Sequence, residues 1–145
     1  MINFEINNLT AYRLAPKTIA KTIAVFARQA DFKKNRTLSL AFIGPAAIRK
    51  WNRLYRGRDK VTDVLSFAAG GEGESDDFLG EILICPQRAA AQAKEYGWTL
   101  QWEITRLLVH GLAHLLGYDH ENVSARKAKE MELFEAKVMN KLNNS

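Results

Sequence analysis

Every histidine of this chain lies between residues 110 and 120. His110 and His114 are one turn apart on a predicted helix, so both imidazoles project from the same face. Gly117 can adopt a positive φ, which would end the helix and return His120 toward the other two side chains. Three imidazoles and one open position are typical of a catalytic zinc, whereas a structural zinc usually has four protein ligands. The spacing therefore predicts one zinc ion bound by His110, His114 and His120.

The same spacing occurs in metzincin proteases, with one difference that bears on the reaction. Those enzymes have a glutamate directly after the first histidine, where it acts as general base. This chain has Gly111, which cannot accept a proton, so a peptidase of that type is disfavoured. Asp119 could orient a ligand imidazole, and Tyr118 is either a buried ring or a donor at the site. Nickel, copper or iron would also suit three imidazoles, and the alternative to a metal site is a set of core or surface histidines.

Positive charge is concentrated in the segment 49–60. It holds six basic residues and a single acid, Asp59, so its net charge equals the +5 of the whole chain. Arg49, Arg53 and Arg56 share one face of a predicted helix. The cluster is either a solvated helix face or a surface for an anionic partner.

The apolar pattern predicts the element order β-α-β-α-β-β-α-α-α. The strands are expected at about 2–7, 37–43, 62–68 and 79–85, and the helices at about 16–31, 46–56, 87–96, 99–116 and 123–142. In the second helix, Ile48, Trp51 and Tyr55 are expected to face inward. The acidic, glycine-rich stretch 70–77 is interpreted as a hairpin tip, with a flap over the site as the alternative, between two strands that pair antiparallel. We expect one α+β domain over residues 1–145, with about five helices covering a small mixed sheet of about four strands.

The sequence has no sign of a membrane segment or a disulfide framework. Its single cysteine, Cys85, cannot form an internal disulfide, which suits a reducing cytoplasm. No apolar run approaches the roughly 18 residues needed to cross a bilayer, and no leader opens the chain. We expect a cytoplasmic protein, and its oligomeric state is left open.

Three stretches resemble a known family. The run from His110 to His120 closely resembles the H-G-x-L-H-L-x-G-Y-D-H signature of the bacterial YbeY endoribonuclease and ribosomal RNA maturation family. Residues 52–56 and 62–67 are similar to its N-x-x-Y-R…P-T-D-V-L-S-F segment, and residues 79–82 to its L-G-D-I strand. The matches occur in the family's order. The chain departs from the family at Ala113, Val61 and Glu81, where the family has leucine, proline and aspartate.

The resemblance implies a metal-dependent hydrolase, a zinc endoribonuclease that acts on single-stranded RNA. Its setting would be the small ribosomal subunit, in maturation of the 16S ribosomal RNA 3′ end and in ribosome quality control. By this resemblance Arg56 is the catalytic arginine, and His110, His114 and His120 hold the zinc. A zinc ion and a guanidinium both stabilise charge on a cleaved phosphodiester. The nucleophile is left open between water and the ribose 2′-OH.

Two alternative functions follow from the same residues. One is a non-catalytic, zinc-containing ribosome assembly factor, since RNA binding and RNA cleavage need similar side chains. The other is a zinc hydrolase of another substrate class, with Glu81 or Asp119 as its base. The role of Asp63, within the second matching stretch, is left open.

Overall fold

The elements of the structure follow the predicted order. The computed structural model describes residues 1–70, 77–117 and 124–144. Within these residues there are four strands and five helices: β1 Ile2–Asn8, α1 Pro16–Gln29, β2 Arg36–Phe42, α2 Pro45–Arg56, β3 Val64–Ala68, β4 Phe78–Ile84, α3 Pro86–Tyr96, α4 Leu100–Leu115 and α5 Ala125–Asn143. The α+β class is confirmed. The interior of the expected hairpin tip, residues 71–76, lies outside the described part, and so do Tyr118, Asp119 and His120.

The strands form one mixed sheet in the order β1-β2-β4-β3. β1 pairs with β2 and β2 with β4 in parallel, whereas β3 pairs with β4 antiparallel, as the sequence predicts. β3 begins at Val64 because the carboxylate of Asp63 accepts the backbone N–H of Val64 at 2.8 Å. The sheet therefore ends in a β3–β4 hairpin, which carries residues 79–82 and most of residues 62–67, whereas residues 52–56 lie in α2.

The main core lies on one face of the sheet, under α1, α4 and α5. Apolar residues spaced three and four apart supply it, including Leu108 and Leu112 from α4 and Met131 and Val138 from α5. Ile82 of β4 belongs to the same cluster. α4 is central to this layer, since it contacts β3, β4, α1, α3 and α5. These contacts fix the position of α4 relative to the sheet.

A smaller cluster lies on the other face, under α2. Ile48 of α2 is fully buried there against Leu65 and Leu83, as expected. The prediction that Trp51 and Tyr55 face inward is wrong, because their side chains are 39% and 63% exposed. The inward position beside Ile48 belongs to Asn52, which is 2% exposed and donates from Nδ2 to the carbonyl of Lys60 at 3.0 Å. A hydrophobicity pattern could not predict this, since an amide whose hydrogen bond is satisfied can be buried at little cost.

A buried polar network joins the start of β3 to α3 and α4. Gln92 Nε2 donates to Asp63 Oδ2 at 3.1 Å and to Glu103 Oε2 at 3.2 Å. Glu103 is fully buried and also forms an ion pair with Arg106. The role of Asp63 is therefore structural: its two oxygens connect the beginning of β3 to the helical layer.

The helices of the described residues do not resemble membrane spans, since none of them is long and apolar enough to cross a bilayer.

Candidate metal centre

α4 presents His110 and His114 to each other at its C-terminal end. Thr99 caps the start of the helix and accepts the N–H of Trp102 at 3.0 Å, as predicted. The helix ends at Leu115, and Gly117 adopts φ +95, a conformation that suits glycine. The structure thus confirms the predicted helix and its end before Gly117. His120 comes three residues after that glycine.

The two imidazoles approach each other through their Nε2 atoms. Nε2 of His114 lies 3.0 Å from Nε2 of His110, and the ring centroids are 4.5 Å apart. Two Nε2 atoms bound to one tetrahedral zinc would be separated by about 3.3 Å, given a Zn–N distance of about 2.05 Å. The pair therefore has nearly the separation that a shared metal ion requires.

The third predicted ligand, His120, lies outside the described residues. Among the residues that the structure describes, no group of three or more His, Cys, Asp or Glu side chains is placed to hold a metal. The structure thus brings together two of the three predicted ligands. Zinc binding by all three stays a prediction.

Glu135, on α5, forms a contact with His110 that the sequence reasoning missed. Its Oε1 accepts the Nδ1–H of His110 at 2.6 Å, and the two side chains are only 19% and 27% exposed. A carboxylate only accepts hydrogen bonds, so this contact suits a proton on Nδ1, the tautomer in which the Nε2 lone pair is available to a metal. The available signal was the position of Glu135, four residues after the inward-facing Met131 and beside Phe134.

Glu135→Ala should weaken zinc binding about 10- to 100-fold, because His110 loses the partner that fixes its tautomer and ring orientation. Glu135→Gln should lose less, since the amide oxygen still accepts the Nδ1–H. Competition with a chromophoric chelator measures the affinity. Glu132→Ala is the matched control, since Glu132 lies on the same helix with its side chain 64% exposed. Equal zinc affinities for Glu135→Ala and wild type would contradict the assignment.

Gly111, at the position of the metzincin glutamate, lies where α4 packs closely on the sheet. A Cβ on Gly111 would lie 3.0 Å from Ile82 Cδ1 and 3.1 Å from Ser66 Oγ. A longer side chain at this position would therefore require the Ile82 and Ser66 side chains to shift. The close packing of α4 on β3 and β4 thus favours glycine where a metzincin has its glutamate.

Glu81 lies on the face of the sheet opposite α4. It pairs across the strands with Phe67, which packs against the smaller cluster under α2, whereas the next residue, Ile82, packs under α4. Its Oε2 accepts a hydrogen bond from Ser39 Oγ at 3.1 Å. Glu81 is therefore separated from the histidines by the sheet, which argues against it as the base of a zinc hydrolase.

His110 and His114 lie near the end of the sheet where β3 ends and β4 begins. Ala68 of β3 pairs with Gly80 of β4 at this end. Gly80 has φ +147, and a Cβ there would lie 2.8 Å from Leu115 Cδ2. Leu115 directly follows His114. The glycine of the L-G-x-I stretch is thus required for the close approach of α4 to the hairpin.

The last turn of α2, which ends in Arg56, lies on the other face of the sheet. Tyr55, the residue before Arg56, has its ring centroid 5.3 Å from that of Phe67, next to Ala68 in β3. Arg56 is the last residue of α2 and is exposed. The joint action of Arg56 and the histidines on one phosphate stays a prediction.

The basic segment keeps most of its charge on the surface. Arg49, Arg53 and Arg56 are all exposed along one flank of α2, as predicted. Arg49 donates from Nε to Asp59 Oδ1 at 2.9 Å, and this hydrogen bond lowers the pKa of Asp59. Arg53 lies 3.8 Å from the same oxygen. The one acid of the segment therefore pairs with its N-terminal arginines.

Comparisons with known proteins agree with this architecture. The family profile described as Endoribonuclease YbeY matches residues 2–143. A relative named Endoribonuclease YbeY from Solibacter usitatus is 40% identical over 130 residues, which are 88% of this chain and 85% of that protein. One of the same name from Thermodesulfovibrio yellowstonii is 43% identical over 106 residues, 72% of this chain and 66% of that relative, just under two thirds of its length.

A solved structure agrees as well. The solution structure of a Thermotoga maritima protein aligns with a TM-score of 0.65 and 25% identity, covering 98% of this chain and 89% of that one. The profile spans nearly the whole chain, and the sequence identities to the relatives are high enough to establish common descent. This chain belongs to the YbeY endoribonuclease family.

Proposed function

We propose that this chain is a zinc-dependent endoribonuclease that cleaves single-stranded RNA in the cytoplasm. Its proposed task is maturation of the 16S ribosomal RNA 3′ end and quality control of the small ribosomal subunit, performed by one domain spanning residues 1–145. The relatives' name, endoribonuclease, supports the reaction class. The observation that carries the proposal is the convergence of the His110 and His114 Nε2 atoms, which lie 3.0 Å apart.

The proposed metal ligands are His110, His114 and His120. The Nε2 separation of the first two and the carboxylate on His110 Nδ1 both fit a bound zinc. Zinc bound there would supply Lewis-acid stabilisation of the phosphate charge and activation of the nucleophile. The protein's own contribution is to hold His110 in one tautomer through Glu135.

Arg56 is proposed to bind the non-bridging oxygens of the scissile phosphate. Its planar guanidinium matches two phosphate oxygens and stays protonated at neutral pH, so it stabilises charge that grows as the bond breaks. Arg53, Arg58 and Lys60 would hold the flanking backbone, which makes binding dependent on salt and nearly independent of sequence.

The experiment that tests this function measures cleavage of single-stranded RNA by the purified chain, with zinc and with a chelator. Duplex RNA and casein are the comparison substrates. Zinc-dependent cleavage of single-stranded RNA alone is expected. Binding of ribosomal particles without cleavage would favour an assembly factor, and activity on casein but not on RNA would favour another hydrolase. The product ends identify the nucleophile, since a 2′,3′-cyclic phosphate excludes direct attack by water.

Arg56→Ala should lower the cleavage rate about 10²- to 10³-fold while leaving the zinc content unchanged, because it removes a preorganised partner of the developing charge. Single-turnover cleavage and metal analysis of the same preparation measure the two quantities. Arg88→Ala is the control, since Arg88 is exposed on α3, outside the basic segment. Full activity of Arg56→Ala would remove Arg56 from the mechanism.

A further inference from the structure

Three aromatic side chains on the α2 face of the sheet form a surface that the metal centre does not use. We name Trp51, Tyr55 and Phe67 the aromatic platform. The Trp51 and Tyr55 rings are stacked, with centroids 5.2 Å apart and an interplanar angle of 19°, and Tyr55 meets Phe67 edge-on at 5.3 Å. Tyr55 is nevertheless 63% exposed. Two large exposed rings, Trp51 and Tyr55, that stack on each other beside the half-buried Phe67 are typical of an interaction site.

A cavity of about 330 Å³ opens beside the platform. Its lining comprises Trp51, Tyr55, Phe67, Ala68, Phe78 and Glu81. The wall is therefore mostly aromatic, with one carboxylate whose Oε2 already accepts from Ser39. A carboxylate repels phosphate but accepts hydrogen bonds from N–H groups. The cavity thus suits a flat ring with N–H donors at its edge, such as a nucleotide base.

The positive charge around the platform indicates that a base bound there carries a phosphate. Arg53 and Arg56 lie on α2 beside Trp51 and Tyr55, and Arg58 and Lys60 follow in the next turn of chain. A ligand that carries both a flat base and a phosphate would satisfy the aromatic wall and the cations together. Single-stranded RNA has this chemistry, whereas a duplex keeps its bases stacked inside.

The position of the platform connects it to the proposed reaction. Phe67 and Ala68 lie in β3 at the hairpin end, where Gly80 packs against Leu115, the residue after His114. The platform therefore lies near the same end of the sheet as the histidines, on its opposite face.

We propose that the aromatic platform is a base-stacking subsite, which takes one unstacked base of a single-stranded RNA and so selects single strands over duplexes. The inference rests on the proposed function, since it concerns the substrate of that same site. The base stacks against the rings of Tyr55 and Trp51, with its N–H edge toward Glu81 and its phosphate toward Arg53 and Arg56.

The test measures binding of a fluorescein-labelled 2′-O-methyl RNA 12-mer by anisotropy, without zinc. This probe resists attack by its own 2′ oxygen, so binding is separated from cleavage. Tyr55→Ala and Trp51→Ala should each weaken binding of the single strand about tenfold and change duplex binding little. Because both side chains are exposed, the variants should keep the wild-type thermal midpoint.

The chain provides a matched control in a second aromatic pair, Tyr96 and Trp98. Their rings are 5.0 Å apart, and the side chains are 59% and 38% exposed, which nearly equals the exposure of Tyr55 and Trp51. Tyr96→Ala and Trp98→Ala should leave binding unchanged. Unchanged binding by Tyr55→Ala, or an equal loss from the control pair, would overturn the proposal.

The outcome also separates this inference from the proposed function. If wild type binds the single strand through Tyr55 but zinc-dependent cleavage of natural RNA fails, the subsite stands and the proposed reaction falls. If cleavage succeeds and Tyr55→Ala binds like wild type, the reaction stands and the subsite falls.

Discussion

Replacing His114 with alanine is expected to lower the zinc affinity by about a thousandfold or more and to abolish zinc-dependent cleavage of RNA. Three-imidazole sites bind zinc through the combined effect of all ligands, so each ligand accounts for several kcal/mol of the binding free energy, on the order of 10–16 kcal/mol for structural sites. The Nε2 of His114 lies 3.0 Å from that of His110, so it is a direct partner in the proposed site.

The measurement combines metal analysis after dialysis, chelator competition and RNA cleavage on the same preparations. His114 is only half-buried, so its removal should leave the thermal midpoint of the metal-free protein nearly unchanged. That comparison separates loss of the ligand from loss of the fold. An alanine variant that retains one zinc per chain and cleaves RNA at the wild-type rate would falsify the ligand assignment.

The convergence of His110 and His114 could be predicted from the sequence because its signal is local. His110, His114 and Gly117 obey helix geometry and a helix stop, which depend on residues within two turns of each other. The structure confirms the helix and its end. Glu135 was not predictable in the same way, because its contact with His110 depends on the packing of α5 against α4, which joins residues far apart in the chain.

The element order was also predictable, since the hydrophobic periods of strands and helices differ. The inward face of α2 was not predictable, because apolar side chains are not always buried and those of Trp51 and Tyr55 are exposed. The small cluster under α2 accommodates Ile48, and the helix extends past it toward the hairpin end of the sheet. The exposure of Trp51 and Tyr55 therefore points to a function rather than to a structural role, since buried rings would belong to the core.

The ion pair of Glu103 and Arg106 is a second feature that no local pattern predicts. Glu103 has an exposed fraction of 0%, whereas Arg106 reaches the surface with 38% of its side chain exposed. An acid within the first turn of α4 would ordinarily be interpreted as a solvated residue that favours the helix N-terminus. Its burial depends on Gln92 of α3, whose amide also holds Asp63 at the start of β3.

Arg106→Ala is expected to lower the free energy of unfolding by about 3–5 kcal/mol, because it leaves the buried Glu103 carboxylate without its cation. Replacing both residues with leucine should recover most of that loss, since no uncompensated charge then remains in the core. Urea unfolding followed by circular dichroism measures each variant. Arg126→Ala is the matched control: Arg126 is 91% exposed and pairs with Glu130 at 3.6 Å, so its loss should cost less than about 1 kcal/mol. If Arg106→Ala lowered the free energy of unfolding as little as Arg126→Ala, the network would not determine how α4 and its two histidines are held against the sheet.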